Sequence, residues 1–223
     1  MTTEGRATEV RLRVEQLALG PIGTNCYIVR ADGSSDVVVV DPSGDAADLR
    51  VRLAGMGARC SAILVTHGHW DHLLGVADLA EGTGAPVHMA ERERELLEQL
   101  ARFTPPGLTA RPHTPEVLLQ GGETIEAGGI SFEVVSVPGH SPGHLAYHAE
   151  GHLFSGDVLF QGSVGRTDLP GADWDTLVAS IRTLVDRYPP ETVVHPGHGP
   201  LTALGAELAR NPFLAELRAE STG

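Results

Sequence analysis

The sequence predicts a layered α/β fold in which helices cover two packed β-sheets. Short apolar, β-branched runs alternate with amphipathic helical patterns along most of the chain. This alternation occurs in two successive sets, and a segment rich in Pro, Thr and Gly at 103–115 separates them as a loop. Because the chain has 223 residues and no long polar linker, we expect residues 1–223 to form a single domain.

The predicted strands are mostly near-continuous apolar runs, which are typical of strands buried on both faces. These runs lie at 26–29, 37–41, 62–66, 132–137 and 192–196. The segment 10–17 alternates polar and apolar residues instead, which predicts a half-exposed strand. The short run HLFS at 152–155 is also predicted to be a strand.

Amphipathic helical patterns fill the intervals between these runs, and several of them end at Gly or Pro. They lie at 45–57, 71–84, 90–101, 173–188 and 204–211. In the segment 173–188, Asp173 has the residue type that caps a first helical turn, and Pro-Pro follows the end.

Composition argues against several classes of partner. A net charge of −13 and an aromatic content of 4% argue against nucleic-acid binding. No run approaches the roughly 18–20 apolar residues that span a bilayer, so we expect no membrane partner. The N-terminal stretch lacks the apolar region of a secretion signal, and Cys26 and Cys60 form no disulfide framework. We therefore expect a cytoplasmic protein with two buried thiols. The sequence specifies no oligomeric state.

The stretch THGHWDHLLG at 66–75 holds three histidines and one aspartate within six positions. Side chains two apart in an extended segment point the same way, so His67 and His69 can reach one ion together. Asp71 and His72 follow at the start of a predicted helix. A closed structural zinc site usually includes cysteine, and neither cysteine lies nearby. The pattern therefore predicts a catalytic metal site, in preference to a structural site or a solvated polar loop.

Further metal-competent side chains follow later strands, each beside a glycine. They are His140, Asp157 and His198, in the segments VPGHSPGH, FSGDVLF and HPGHG. A glycine lets the backbone turn sharply and admits a neighbouring group closely. We expect these residues to complete the metal site.

The motifs HGHWDH, PGHSPGH, SGDVLF and HPGHG together resemble the metallo-β-lactamase superfamily, and they run from His67 to His198. The resemblance implies a four-layer αββα sandwich with a binuclear metal centre. The stretches FQGSVGRTDLPGADW and PGHGPLTALGAELARNPFL are similar to the short glyoxalase-II-like, or hydroxyacylglutathione hydrolase-like, branch. This resemblance implies that the first metal is held by His67, His69 and His140. The second is then held by Asp71, His72 and His198, with Asp157 bridging both.

The same donors suit two zinc ions, and they tolerate iron or manganese. Two metals roughly 3.5–4 Å apart can hold one hydroxide between them. Metal coordination lowers the pKa of bound water towards about 7, so this hydroxide can form near neutral pH. We expect this hydroxide to attack the carbonyl of a small-molecule thioester such as S-D-lactoylglutathione, with Asp71 accepting its proton. Arg166 is a candidate clamp for an anionic group of the substrate. A salt bridge from Arg166 to Asp168 or Asp173 is an equal alternative.

Other chemistries stay open at this point. Full-length glyoxalase II has a C-terminal helical domain that grips glutathione, and too few residues follow His198 for such a domain, so the thiol is open. Persulfide dioxygenases resemble this chain and use one iron held by two histidines and an aspartate. A lactonase or β-lactamase needs the same nucleophile, although a periplasmic β-lactamase would require a secretion signal.

Each of three residues near the motifs has two possible roles. His144 and His195 are expected to be ordinary structural histidines or, alternatively, hydrogen-bond partners that orient the ligand rings. Trp70 is expected either to wall the pocket or to pack over the helix start.

Overall fold

The computed structural model of the protein describes residues 11–44 and 46–221. Within these ranges the strands, numbered in chain order, are β1 Leu12–Leu19, β2 Thr24–Ala31, β3 Asp36–Val40, β4 Arg59–Leu64, β5 Val87–Ala90, β6 Val117–Leu119, β7 Thr124–Ala127, β8 Ile130–Ser136, β9 Leu145–Ala149, β10 His152–Gly156, β11 Leu159–Phe160, β12 Ser163–Val164, β13 Val193–Pro196 and β14 Thr202–Ala203. One sheet has the order β1-β2-β3-β4-β5-β6, and the other has the order β14-β13-β10-β9-β8-β7. Strands β11 and β12 form a separate hairpin.

Helices cover the outer faces of both sheets. They are α1 Ala46–Gly55, α2 Trp70–Leu73, α3 Val76–Thr83, α4 Arg94–Glu98, α5 Leu100–Phe103, α6 Trp174–Arg187, α7 Leu204–Arg210 and α8 Ala215–Ser221, with short 3-10 turns at Glu91–Glu93 and Pro212–Leu214. Among the described residues, no helix combines the length and the apolar character needed to cross a membrane.

Three apolar clusters hold the layers together. The central cluster joins the two sheets, with Tyr27 and Leu64 from the first sheet against Phe132 and Phe154 from the second. A second cluster packs α1 and α3 against the first sheet, and a third packs α6 and α7 against the second. The layers therefore follow the order helix, sheet, sheet, helix, which confirms the predicted αββα sandwich.

Parallel strand pairs bring polar residues to one edge of the sandwich. Strand β3 pairs with β4 in parallel, and β4 pairs with β5, so their carboxyl ends lie together. In the second sheet, β10 and β13 are also parallel. Side chains that follow such strands meet at the same edge, which is where open α/β sheets bind ligands.

The predicted helix 71–84 is wrong in one respect, because the structure divides it into α2 and α3 around Gly75. There the Gly75 amide donates to the Pro42 carbonyl at 2.8 Å, and a Cβ at this position would lie 2.7 Å from the same oxygen. A close approach between backbones therefore interrupts the helix. The predicted helix 90–101 is likewise split into a 3-10 turn followed by α4 and α5.

Most of the remaining predicted elements are found within a few residues of their expected positions. Asp173 caps α6 as expected, since its side chain accepts a hydrogen bond from the Thr176 amide at 2.8 Å. Cys26 and Cys60 are both buried and unpaired. Val10, Asp45 and the N-terminal stretch that led us to expect a cytoplasmic protein lie outside the described residues.

Candidate metal centre

Three imidazoles converge at the carboxyl end of the first sheet. His67 and His69 follow β4, and His140 follows β8 from the second sheet. Their ring nitrogens face one another: His69 Nδ1 lies 3.0 Å from His67 Nε2 and 2.8 Å from His140 Nε2. These three nitrogens are close enough to bind one ion together.

A second donor group lies beside the first. Asp71 and His72 belong to α2, and His198 follows β13. The Asp71 Oδ2 atom lies 3.3 Å from His72 Nε2 and 3.3 Å from His198 Nε2. These three side chains could also hold an ion.

The Asp157 carboxylate lies between the two groups, directly after β10. Its Oδ2 atom is 3.6 Å from His140 Nε2 and 3.5 Å from His198 Nε2, and its Oδ1 atom is 3.5 Å from His72 Nε2. Asp157 therefore faces donors of both groups. The backbone at Gly197 approaches so closely that a Cβ there would lie 2.0 Å from Asp157 Oδ1, so only glycine fits.

Two observations test whether these donors fit a metal. The His72 Nε2 and Asp157 Oδ1 atoms are buried without a hydrogen-bond partner, although a buried polar atom normally has one. Bonds of about 2.0–2.1 Å to one tetrahedral ion separate two ligand nitrogens by about 3.3 Å. The donor distances of 2.8–3.6 Å bracket this value. Imidazole and carboxylate are also the donor types that zinc, iron and manganese accept. The residues therefore fit a dinuclear metal site.

Hydrogen bonds on the outer side of the rings fix which nitrogen faces inward. The His140 Nδ1 atom donates to the Arg166 carbonyl at 2.8 Å, and His72 Nδ1 donates to Asp41 Oδ2 at 2.9 Å. The His67 Nδ1 atom lies 3.1 Å from the Thr66 hydroxyl, which donates onward to Asp41. Because carbonyls and carboxylates only accept, these contacts keep a proton on Nδ1 and direct Nε2 of each ring towards the donor groups.

Charge states on the first group suit metal binding. Burial, together with neighbouring imidazoles, holds the pKa of His67 well below its ordinary value. Burial and the nearby His140 lower the pKa of His69 to about 4. Both rings are therefore neutral near pH 7 and can donate a lone pair.

The second group is more polar. Burial alone would raise the pKa of Asp157, but the charge of His72 and a hydrogen bond from His198 hold it well below the ordinary range. Burial also opposes protonation of His198, but its contacts with Asp157 and Asp71 raise its pKa to about 9. The two carboxylates are therefore ionised and pair with protonated His72 and His198, and a bound metal would displace the inward protons of these rings.

Two acidic residues that support the site were missed in the sequence. Asp41 follows β3 and accepts hydrogen bonds from Thr66 and His72, with a backbone φ of 49°. Its position directly after the run VVVV is the strand-end pattern seen for the other site residues, which was a usable signal. Glu93 is 2% exposed and accepts from the amides of Gly68 and Gly143. No local pattern pointed to Glu93.

The structure gives different roles to His144 and His195, for each of which two interpretations were open. His144 stacks on His67 with ring centroids 4.6 Å apart, and its Nε2 accepts from the Asp157 amide at 3.1 Å. It therefore supports the site by stacking and by positioning Asp157. The orienting role considered for His195 is not observed, because its Nε2 lies 2.9 Å from His152 Nδ1 and its ring stacks on Phe154.

The donor groups form the floor of a cleft of about 840 Å³. Trp70 lines this cleft, which is one of its two expected roles, and it also packs against the core behind the first sheet. Arg166 lines the cleft as well. Its guanidinium pairs with Asp168 through Nε–Oδ1 and Nη2–Oδ2 contacts of 2.6 and 2.7 Å. Of the two readings of Arg166, the salt bridge to Asp168 is the one observed.

Comparison with known proteins identifies the family of this chain. The family model described as "Metallo-beta-lactamase superfamily" matches residues 19–198. The chain is 33% identical over 211 residues to the hydroxyacylglutathione hydrolase GloC of Haemophilus influenzae, covering 91% of this chain and 98% of that protein.

Two solved structures are similar over nearly the whole chain. The BLEG-1 B3 metallo-β-lactamase is 41% identical with a TM-score of 0.85, covering 91% of this chain and 100% of that one. TTHA1623, described in a di-iron-bound form, is 41% identical with a TM-score of 0.75, covering 90% and 100%. With the matched family model, the sandwich and the paired donor groups all in agreement, the chain belongs to the metallo-β-lactamase superfamily and is one of its metallo-hydrolases.

Proposed function

We propose that the protein is a metal-dependent thioesterase that hydrolyses a small-molecule thioester, such as S-D-lactoylglutathione or an analogue, to a carboxylic acid and a thiol. The observation that carries this proposal is Asp157, whose carboxylate faces both donor groups at the floor of an open cleft. Similarity to a hydroxyacylglutathione hydrolase supports the thioester as the substrate class.

The proposed metal ligands are the six residues of the two donor groups together with Asp157, which lies between them. One ion would bind His67, His69 and His140, and the other would bind Asp71, His72 and His198, with Asp157 shared. When bound, two such ions supply a hydroxide nucleophile near neutral pH and polarise a carbonyl group. Zinc is the expected metal, and iron or manganese suits the same donors. The second donor group supports hydrolysis over the single-iron persulfide dioxygenase chemistry, which needs only one group.

Asp71 is the proposed proton acceptor. Burial opposes its ionisation, but a hydrogen bond from His198 and the charge of His72 lower its pKa, so it is a carboxylate near pH 7. The Thr24 hydroxyl donates to Asp71 Oδ2 at 2.8 Å and holds the side chain at the cleft floor. As a new C–O bond forms at the substrate carbonyl, Asp71 takes the nucleophile's proton. When the C–S bond breaks, that proton passes to the departing thiolate.

Arg166 is the proposed contact for an anionic group on the thiol portion. Its guanidinium lines the cleft, and its partner Asp168 is exposed. An exposed ion pair contributes little free energy, so a substrate carboxylate can replace Asp168 as the partner of Arg166 at a small cost in free energy.

A β-lactam is the second candidate substrate. The specific observation in its favour is the 41% identity to the BLEG-1 B3 metallo-β-lactamase, which this chain covers completely. The cleft floor would be unchanged, because amide and thioester hydrolysis both need a nucleophile at a carbonyl carbon.

The test is to measure hydrolysis of S-D-lactoylglutathione, other S-acylthiols, lactones and β-lactams by the metal-loaded protein. We expect thioesters to turn over fastest. We expect His69→Ala to lose metal and activity while its circular dichroism spectrum stays that of the native fold. His113→Ala, on the loop between α5 and β6, is the matched control and should keep both. If lactones or β-lactams turn over and every thioester is untouched, the thioesterase proposal is wrong.

A further inference from the structure

The cleft above the donor groups has two apolar walls that belong to different halves of the fold. Trp70, Leu96 and Phe103 line one wall, from α2, α4 and α5. Phe160 and Leu169 line the other wall, from β11 and the loop after β12. A substrate carbonyl that reaches the floor must therefore pass between aromatic and aliphatic side chains.

Some of these side chains are exposed to an unusual degree for large apolar residues. Phe103 is 44% exposed, and Ile22, at the rim of the same cleft, is 57% exposed. Contiguous exposed apolar surface in a concave site is typical of ligand binding, because a ligand that covers it removes that surface from water. The walls therefore favour a ligand with an apolar portion.

The charged side chains of the cleft also favour a ligand with few charges. Apart from the proposed metal ligands, Arg166 is the one charged side chain in the described lining of the cleft, and it already pairs with Asp168. A peptide-like thiol such as glutathione has two carboxylates and an ammonium group. At most one of these charges could find a partner in the cleft, and the chain as a whole has a net charge of −13.

We infer that the preferred substrate is a thioester with an apolar acyl or thiol substituent of several carbons and no more than one anionic group. This inference rests on the proposed thioesterase function and specifies the substrate class of the same site. Within that class S-D-lactoylglutathione, with two carboxylates and a short polar acyl group, is expected to be a poorer substrate. The apolar portion lies between the two walls, while the carbonyl reaches the donor groups on the floor.

The first experiment is kinetic and uses the full, metal-loaded chain. S-acetyl, S-butanoyl and S-hexanoyl N-acetylcysteamine differ only in acyl length, and the corresponding glutathione thioesters add charge on the thiol. We expect kcat/KM to rise about two- to fourfold per methylene, because each methylene is removed from water between the walls. We also expect the uncharged thiol series to be hydrolysed at least as fast as the glutathione series.

A pair of matched variants locates the effect in the cleft. Phe103→Ser removes an exposed aromatic ring from one wall, and we expect about a three- to tenfold loss of kcat/KM for the hexanoyl substrate with a smaller loss for the acetyl substrate. Phe213→Ser is the control, because Phe213 is similarly exposed at 49% but does not line the cleft. It should leave the dependence on chain length unchanged.

The outcomes separate this inference from the proposed function. If thioesters are hydrolysed with no dependence on acyl length, or if glutathione thioesters are hydrolysed faster than the uncharged series, the inference is overturned while the thioesterase stands. Equal effects of Phe103→Ser and Phe213→Ser would also overturn it. If no thioester is hydrolysed, the proposed function itself fails.

Discussion

Glu93 connects the two loops that carry the first donor group. One of its carboxylate oxygens accepts from the Gly68 amide, between His67 and His69, and the other accepts from the Gly143 amide, three residues after His140, at 2.7 Å. The substitution Glu93→Gln keeps the size of this side chain but removes its charge. It also turns an NH2 group towards one of the two amides, which then has no acceptor.

The expected cost follows from these two contacts. A hydrogen bond to a charged group contributes about 1.5–3 kcal/mol, and a buried amide without a partner costs about 1–3 kcal/mol. Glu93→Gln should therefore lower the free energy of unfolding by roughly 3 kcal/mol. Substituting a residue that orients metal ligands typically weakens metal binding by about 10- to 100-fold. We therefore expect Glu93→Gln to bind metal about 10- to 100-fold more weakly.

Urea unfolding of the metal-free protein measures the first effect, and competition with a chelator measures the second. Glu95→Gln is the matched control, because the Glu95 carboxylate is exposed and, within residues 11–44 and 46–221, accepts a hydrogen bond from the Gln99 side chain alone. It should change the free energy of unfolding by less than about 0.5 kcal/mol. If Glu93→Gln matches Glu95→Gln in metal affinity, Glu93 does not position the donor group, whatever its effect on stability.

Two further predictions concern stability away from the cleft. Asp173→Ala removes the cap of α6 and should cost about 1 kcal/mol in urea unfolding, whereas Asp173→Ser should recover most of it. Burial and the nearby His152 lower the pKa of His195 to about 3, so the folded state excludes a proton that the unfolded state binds below about pH 6.5. Stability is therefore lost as the pH falls below about 6.5. His195→Phe should reduce the loss between about pH 7 and pH 5 by about 2 kcal/mol, and an unchanged pH slope would contradict this.

The fold was largely predictable because its strands and helices have strong local patterns. The runs VVVV and AILV are buried strands, as expected, and Asp173 begins α6. The short strands β5, β7 and β9 were not predicted, since a His or Glu interrupts the apolar residues of each one. The single-domain organisation stays a prediction, and the cluster shared by both sheets supports it.

The candidate site divides into a predictable part and a part that depends on tertiary structure. His67, His69 and His140 could be proposed from spacing and motif, and the structure brings their ring nitrogens together. Glu93 could not, because its role arises from two backbone amides that are 25 and 50 residues away in sequence. Asp41 is intermediate, because its strand-end position was visible although its partner His72 lies 31 residues away.

The metal content of the purified protein, measured together with thioester hydrolysis, is the most direct test of the dinuclear site. We expect about two ions per chain in the active protein, loss of hydrolysis when a chelator removes them, and recovery as about two equivalents of zinc are restored. Asp157→Ala, which removes the carboxylate shared by both donor groups, should bind fewer ions and remain inactive after the same treatment. Full thioester hydrolysis by protein that is demonstrably free of metal would contradict the dinuclear site as the source of the nucleophile.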